Sequence, residues 1–266
     1  MKKWSVALLS VVVGAVLLAG CGSTDTKKTA VTGDSSNKTA PKKEFHFAMS
    51  GLYKPFNFKE NGELVGFDVE IGTALAMKMD MKPVPVTNPW ETIIQGLLSS
   101  KYDAILGSMA ITPEREKTVS FTKPYYNSGA QVFIAAKNNE IKSAQELKGK
   151  KIGVLKASLF KGLATNLTDS SKLTEYDSDL TALMDLPTGR VDAVITDDLV
   201  GLRMMKENAA EIKLVGEPLT SSKAGIAVRK EDKELLDKLN AALDEIIKDG
   251  TYGKISEKWF GTNILK

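Results

Sequence analysis

Hydrophobic and polar positions divide this 266-residue chain into three regimes. Val6 to Leu18 is an apolar run with only Ser5, Ser10 and Gly14 near or within it, behind the charged start Lys2-Lys3. It is about a dozen residues long, against roughly 20 for a membrane-spanning helix. The pattern therefore predicts the apolar core of a signal peptide over residues 1–20. Residues 22 to 43 are mostly Ser, Thr, Lys, Gly, Asn and Asp. They bury too little to offset their own ordering entropy and predict a flexible tether over 21–43, headed by Cys21. From Glu44 onwards, short β-branched runs alternate with helical periodicity, which predicts an α/β fold built from βαβ units.

The elements of this last region follow from its periods. A strand is expected over Phe45–Met49, then a turn at Asn61-Gly62, then a helix from about Asp68 with Ile71, Leu75 and Met79 on one face. Pro89 opens a helix whose buried stripe is Ile93, Ile94, Leu97 and Leu98, and a strand over Asp103–Leu106 follows. The second half repeats the scheme. It has a strand Lys151–Leu155, a helix capped by Ser158 and running through Leu167, a helix from Ser178 cut short by Pro187, and a strand Val191–Ile195. Lys101-Tyr-Asp-Ala-Ile-Leu106 echoes Arg190-Val-Asp-Ala-Val-Ile195. Ligands of open α/β sheets sit beyond strand carboxyl ends, which makes Gly107–Ala110 and Thr196–Asp198 the rims to watch. Strands Gln131–Ala136 and Ala224–Val228 are expected to form a two-stranded hinge between lobes, with helices 231–248 and 251–260 returning to the first lobe.

Charge changes the picture once it is divided by segment. The net charge is +3; Lys2 and Lys3 contribute +2 and the tether +3, leaving the folded part at −2. The basic pI belongs to leader and tether, and no nucleic-acid surface is indicated. Cys21 is the only cysteine, which excludes an intrachain disulfide and a thiolate metal site. Leu18-Ala19-Gly20-Cys21 resembles the lipobox of bacterial lipoproteins. That resemblance implies a diacylglycerol on Cys21, cleavage before it, and a lipid anchor on the extracellular or periplasmic face of the cell membrane.

Seven segments in order carry a wider resemblance: Tyr53-Lys-Pro-Phe56, Gly66-Phe-Asp-Val-Glu70, Ile111-Thr-Pro-Glu-Arg115, Phe121-Thr-Lys-Pro-Tyr-Tyr126, Lys148-Gly-Lys-Lys-Ile-Gly-Val154, Gly189-Arg-Val-Asp-Ala193, and Asp249-Gly-Thr-Tyr252 with Lys258-Trp-Phe-Gly261. From Phe45 to Gly261 the chain resembles the extracellular solute-binding proteins of amino-acid ABC transporters (family 3). The resemblance implies a two-lobe, type II periplasmic-binding-protein-like α/β fold with a two-stranded hinge. Lobe 1 is expected over 44–131 plus 228–266 and lobe 2 over 132–227. It implies a monomer that takes an L-amino acid and meets ABC transporter permease subunits, with no cofactor, no metal and no catalysis.

A zwitterion leaving water needs both charges satisfied. Arg115 suits the carboxylate through its planar two-donor fork; the alternative is a surface arginine paired with Glu114 or Glu116. Asp197 is the favoured partner for the ammonium, with Asp198 the competitor, one of the two capping the next helix. The resemblance assigns Tyr53 and Trp90 to the ligand's side chain, while Phe56, Phe58 and Phe67 read as core. Gly107 and Ser108 are expected to give close backbone approach and donors, and Ser158 with the amides of Leu159 and Phe160 to donate from the second lobe. Where relatives carry Ser or Thr, Ala110 supplies no hydroxyl, and Ala157-Ser158-Leu159 departs from their Gly-Thr-Thr-like turn. Ser50 is neutral where relatives for basic ligands hold an acid, and Lys156 matches a lysine used towards polar side chains. These features lean towards a neutral, polar or sulfur-containing amino acid.

Two other functions fit the fold. A dehydratase of prephenate-like acids would need a tuned acid, for which Glu60 and Glu63 are the nearest candidates; the lone His46 reads as structural. An adhesin or signalling ectodomain would keep the fold but need neither Arg115 nor Asp197.

Overall fold

The computed structural model describes residues 42–207 and 211–265. The leader, Cys21 and nearly all of the tether lie outside these residues. The described chain forms two α/β lobes, each built on a five-stranded sheet.

The first sheet has the order Lys82–Thr87, Glu44–Met49, Ala104–Ile105, Ala227–Val228, Ser120–Phe121. Its first three strands are parallel and the last two join antiparallel. Phe45, Phe47 and Met49 are buried together with Ile71 and Leu75 of helix Phe67–Lys78 in one core. Met79 packs on the edge of that core. Helices Lys233–Lys248 and Thr251–Phe260 return to pack against Phe67–Lys78, as their position after the second crossing requires. Leu239, Ala242, Leu243 and Ile246 form the buried stripe, at the three- and four-residue steps of an amphipathic helix. At the expected turn, Asn61 and Gly62 both have positive φ (51° and 85°). This is what a two-residue hairpin loop demands, and it joins Asn57–Glu60 to Glu63–Val65.

The second sheet has the order Leu173–Tyr176, Ile152–Leu155, Ala193–Asp197, Tyr126–Ala135, Ile212–Ala224. Its core is aliphatic, with Val132, Ile134, Ile152, Val154 and Ile195 at its centre. Tyr126–Ala135 and Ile212–Ala224 pair antiparallel from Tyr126↔Ala224 outwards. The chain passes between lobes there, and Ala224 also bridges to Ala110.

Several local expectations are corrected. The hinge strand expected from Gln131 begins at Tyr126, and residues 224–228 are not one strand. A 13-residue strand ends at Ala224, and Ala227–Val228 belongs to the other sheet. The stretch Gly216-Glu-Pro-Leu219 inside that long strand coincides with a register shift between Val215 and Thr220, which hides its strand period. The helix after Pro89 begins as a 3₁₀ turn, Trp90–Thr92, continues as Ile93–Leu98, and leaves Leu98 exposed. Strand Ala193–Asp197 runs two residues further than expected, because Thr196 and Asp197 still pair with Gln131 and Ala130.

Candidate functional site

The strand ends of both lobes and the crossing segments enclose one cavity of about 70 Å³. Tyr53, Trp90, Gly107, Ser108, Ala110 and Arg115 line it from the first lobe, and Ser158, Leu159 and Asp197 from the second. The two lobes also touch directly. Ser178 Oγ donates to the Leu52 carbonyl at 3.3 Å, and Lys54 Nζ lies 3.1 Å from Glu207 Oε1.

Arg115 stands in the one-turn helix Pro113–Glu116, whose first turn is tied by Thr112 Oγ1 accepting from the Arg115 amide at 3.2 Å. Its Nη1 donates to the Ala110 carbonyl at 2.8 Å, and its guanidinium carbon lies 5.5 Å from the Trp90 ring centroid. The alternative pairing is excluded: Glu114 pairs with Lys117 at 2.6 Å. Among the described residues no acid lies within ion-pair distance of Arg115. Burial lowers its pKa to about 10, which leaves it charged near neutrality. Trp90 therefore presents a face to the guanidinium, a cation–π contact, as well as lining the cavity. Tyr53 stacks on Phe56 at 5.2 Å, and Phe56 on Tyr126 at 4.9 Å, so the aromatic wall rests on the core.

Asp197 is 6% exposed. One of its carboxylate oxygens accepts from Ser128 Oγ and the other from the Leu199 amide at 3.0 Å. Asp198 Oδ1 accepts from the same amide at 2.7 Å and lies 2.8 Å from Ser128 Oγ. Both carboxylates thus meet at the start of helix Asp198–Glu207, and of the two Asp197 lines the cavity. Burial, then the neighbouring Asp198 charge, raises the Asp197 pKa to about 8. A cation placed beside it would restore the carboxylate form.

Beneath the cavity, Asp68 is fully buried. It accepts from Asn57 Nδ2 at 2.6 Å, Tyr125 Oη at 2.7 Å and Ser108 Oγ at 2.9 Å. Burial outweighs these three donors and raises its pKa to about 7. Two expectations about hydroxyl donors are corrected. Ser108, at φ 61°, spends its hydroxyl on Asp68 and its amide on Tyr125 Oη at 2.9 Å. Ser158 spends its hydroxyl on the Leu155 carbonyl at 2.6 Å and does not cap its helix, Leu159–Thr165. The first-turn amides of Leu159 and Phe160 remain without intrahelical partners by helix geometry. Gly107 lines the cavity, and a Cβ there would stand 3.3 Å from Met49 Cα of the neighbouring strand.

Lys156 does not line the cavity. It lines the broader groove outside, 2.7 Å from Asp177 Oδ1 and 3.9 Å from Glu91 Oε1. Glu60 and Glu63, the acids a dehydratase would need, are exposed on the hairpin and stand outside the inner cavity. Residues missed by sequence reasoning include Tyr126, Asp179, Thr220 and Ser222. Tyr126 and Asp179 sit at element starts, where chain-local patterns do not reveal which way a side chain turns.

Residues 45–262 match the family model described as bacterial extracellular solute-binding proteins, family 3. The chain is 35% identical to the probable amino-acid-binding protein YxeM of Bacillus subtilis (strain 168), covering 99% of this chain and 97% of the relative. It is 34% identical to the L-cystine-binding protein TcyJ of Escherichia coli (strain K12), over 86% and 87% of the two chains. Among solved structures, an ancestral arginine-binding protein bound to glutamine shares 41% identity at a TM-score of 0.77, over 82% of this chain and 98% of that one. The chain belongs to family 3 of the bacterial extracellular solute-binding proteins.

Proposed function

We propose that the chain captures an L-amino acid outside the cell and delivers it to the permease subunits of an ABC transporter. The observation that carries this reading is the pairing of charges in one cavity. A buried guanidinium without an acid partner comes from one lobe, and a buried carboxyl whose pKa burial raises comes from the other. An α-amino acid offers one charge to each. Its carboxylate takes the Arg115 fork and its ammonium takes Asp197, displacing the proton that burial holds there. Tyr53 and Trp90 contribute apolar and quadrupolar surface to the rest of the ligand. The names of the relatives support an amino-acid ligand.

Closure is part of the proposal. The first lobe takes the ligand, the chain bends where Tyr126 and Ala224 cross, and the second lobe adds its contacts, so ligand shifts the population to the closed form. The protein acts as a monomer without catalysis, anchored by acyl chains on Cys21.

The experiment is a thermal-shift screen of the purified protein, stripped of copurified ligand, against the twenty amino acids plus cystine. Specific ligands raise the midpoint by mass action, and the shift is expected to vanish in Arg115→Ala. No shift with any amino acid overturns the reading. The anchor is tested separately: Cys21→Ser releases the protein from the cell surface, and retention of that variant removes the lipid.

A further inference from the structure

Asp179 opens helix Asp179–Asp185 in the second lobe, lines the same cavity as Arg115 and Asp197, and is 2% exposed. One carboxylate oxygen, Oδ1, accepts from the Thr196 hydroxyl. The other, Oδ2, is buried and has no hydrogen-bond partner. A purely structural role, an acid at a helix start tied to the adjacent strand, accounts for Oδ1 and leaves Oδ2 unexplained. Protonation does not remove the difficulty, because the hydroxyl it would create has no acceptor. A buried polar oxygen in this state is costly unless a partner arrives.

The nearby cations are already engaged. Lys156 is held by Asp177 and Glu91 in the outer groove, and Arg115 faces Ala110 and Trp90. The cavity wall therefore carries two buried carboxylates against one guanidinium. A simple zwitterion matches Arg115 and Asp197 and leaves Asp179 uncompensated. Ser50, whose neutrality argued for a neutral side chain, lines the cavity from the first lobe; Asp179 brings the missing acid from the second.

We infer that the ligand is an α-amino acid carrying a second nitrogen-borne positive charge, which Asp179 accepts through Oδ2. This rests on the amino-acid reading of the site. The shared chemistry is a second N–H donor cation. It arises from a guanidinium, a side-chain ammonium, or the second α-ammonium of a disulfide-linked diamino acid.

Calorimetric titration of the ligand-stripped protein separates these sources. L-Arginine is compared with L-citrulline, L-lysine with L-norleucine, and L-cystine with S-methyl-L-cysteine. At least one cationic member is expected to bind about tenfold tighter than its counterpart or better, and the pair that does so identifies the source. Asp179→Asn keeps an acceptor for Thr196 while removing the charge. It is expected to abolish that preference, the cationic member losing its advantage of about tenfold over its neutral counterpart. Should Asp179→Asn not fold, Asp179→Ser takes its place. The inference is overturned if every neutral counterpart binds as well as its cationic partner, or if the preference survives the loss of the Asp179 charge. In either case a neutral amino acid that still binds leaves the amino-acid reading intact. Absence of binding by all six overturns this inference, and the thermal-shift screen of the twenty amino acids plus cystine then decides the amino-acid reading separately.

Discussion

At the scale of single residues, the site is governed by which donors and charges the fold has already spent. Arg115 and Asp197 line the cavity from opposite lobes and offer a partner to each end of an amino acid, so each is expected to dominate affinity. Arg115→Ala and Asp197→Ala should each weaken amino-acid binding by roughly 2–5 kcal/mol, mainly by leaving one end of the ligand unpaired; calorimetry with the best ligand checks this. The carboxyls also set a pH dependence. Asp179, Asp68 and Asp197 are raised to about 6, 7 and 8 respectively, chiefly by burial. An acid held above its unfolded value contributes stability present in full below pH of about 4 and lost as pH rises through the folded value. The ligand-free protein should therefore melt at lower temperature at pH 8 than at pH 5, by roughly 2–4 °C for each kcal/mol lost. Asp197→Asn should flatten the upper part of that slope. That Arg115 and Asp197 would line one cleft was legible in the sequence from charge chemistry and the family's motifs. The surroundings of Ser108 and Asp179 were not. Ser108's proton goes to Asp68, forty positions away, and no local pattern shows that an acid at a helix start beside a cavity keeps one buried oxygen without a partner.

At the scale of elements, periodicity found most of what packing later used. The buried faces of Phe67–Lys78 and Lys233–Lys248 follow their apolar spacing, and Asn61-Gly62 makes the hairpin it predicts. The misses share a cause, since pairing with a distant strand overrides local pattern. Ala193–Asp197 is prolonged by its partner Tyr126–Ala135, and Ile212–Ala224 is strand in spite of its polar middle. Close contact between elements gives a further prediction at Gly201 in helix Asp198–Glu207. An added Cβ would stand 1.9 Å from Cζ of Phe133. Alanine normally gains about 1 kcal/mol over glycine inside a helix. Here the overpacking should win, so Gly201→Ala is expected to destabilise by roughly 1–3 kcal/mol in denaturant unfolding. It would shift the helix that follows Asp197 and thereby weaken binding as well.

At the scale of the whole molecule, two lobes joined at Tyr126 and Ala224 make a clamp whose halves carry complementary charges. The inter-lobe contacts between Lys54 and Glu207, and between Ser178 and Leu52, are of the exposed polar kind that holds lobes together only weakly. Small-angle scattering of the ligand-stripped protein should show a smaller radius of gyration when ligand is added, and an unchanged profile would remove the hinge motion. The most direct measurement is a crystal structure with the amino acid that gives the largest thermal shift. The ligand carboxylate should lie across the Arg115 guanidinium with its α-ammonium within hydrogen-bond distance of Asp197. A ligand seated with neither group touched, or bound outside the cleft, would contradict the account.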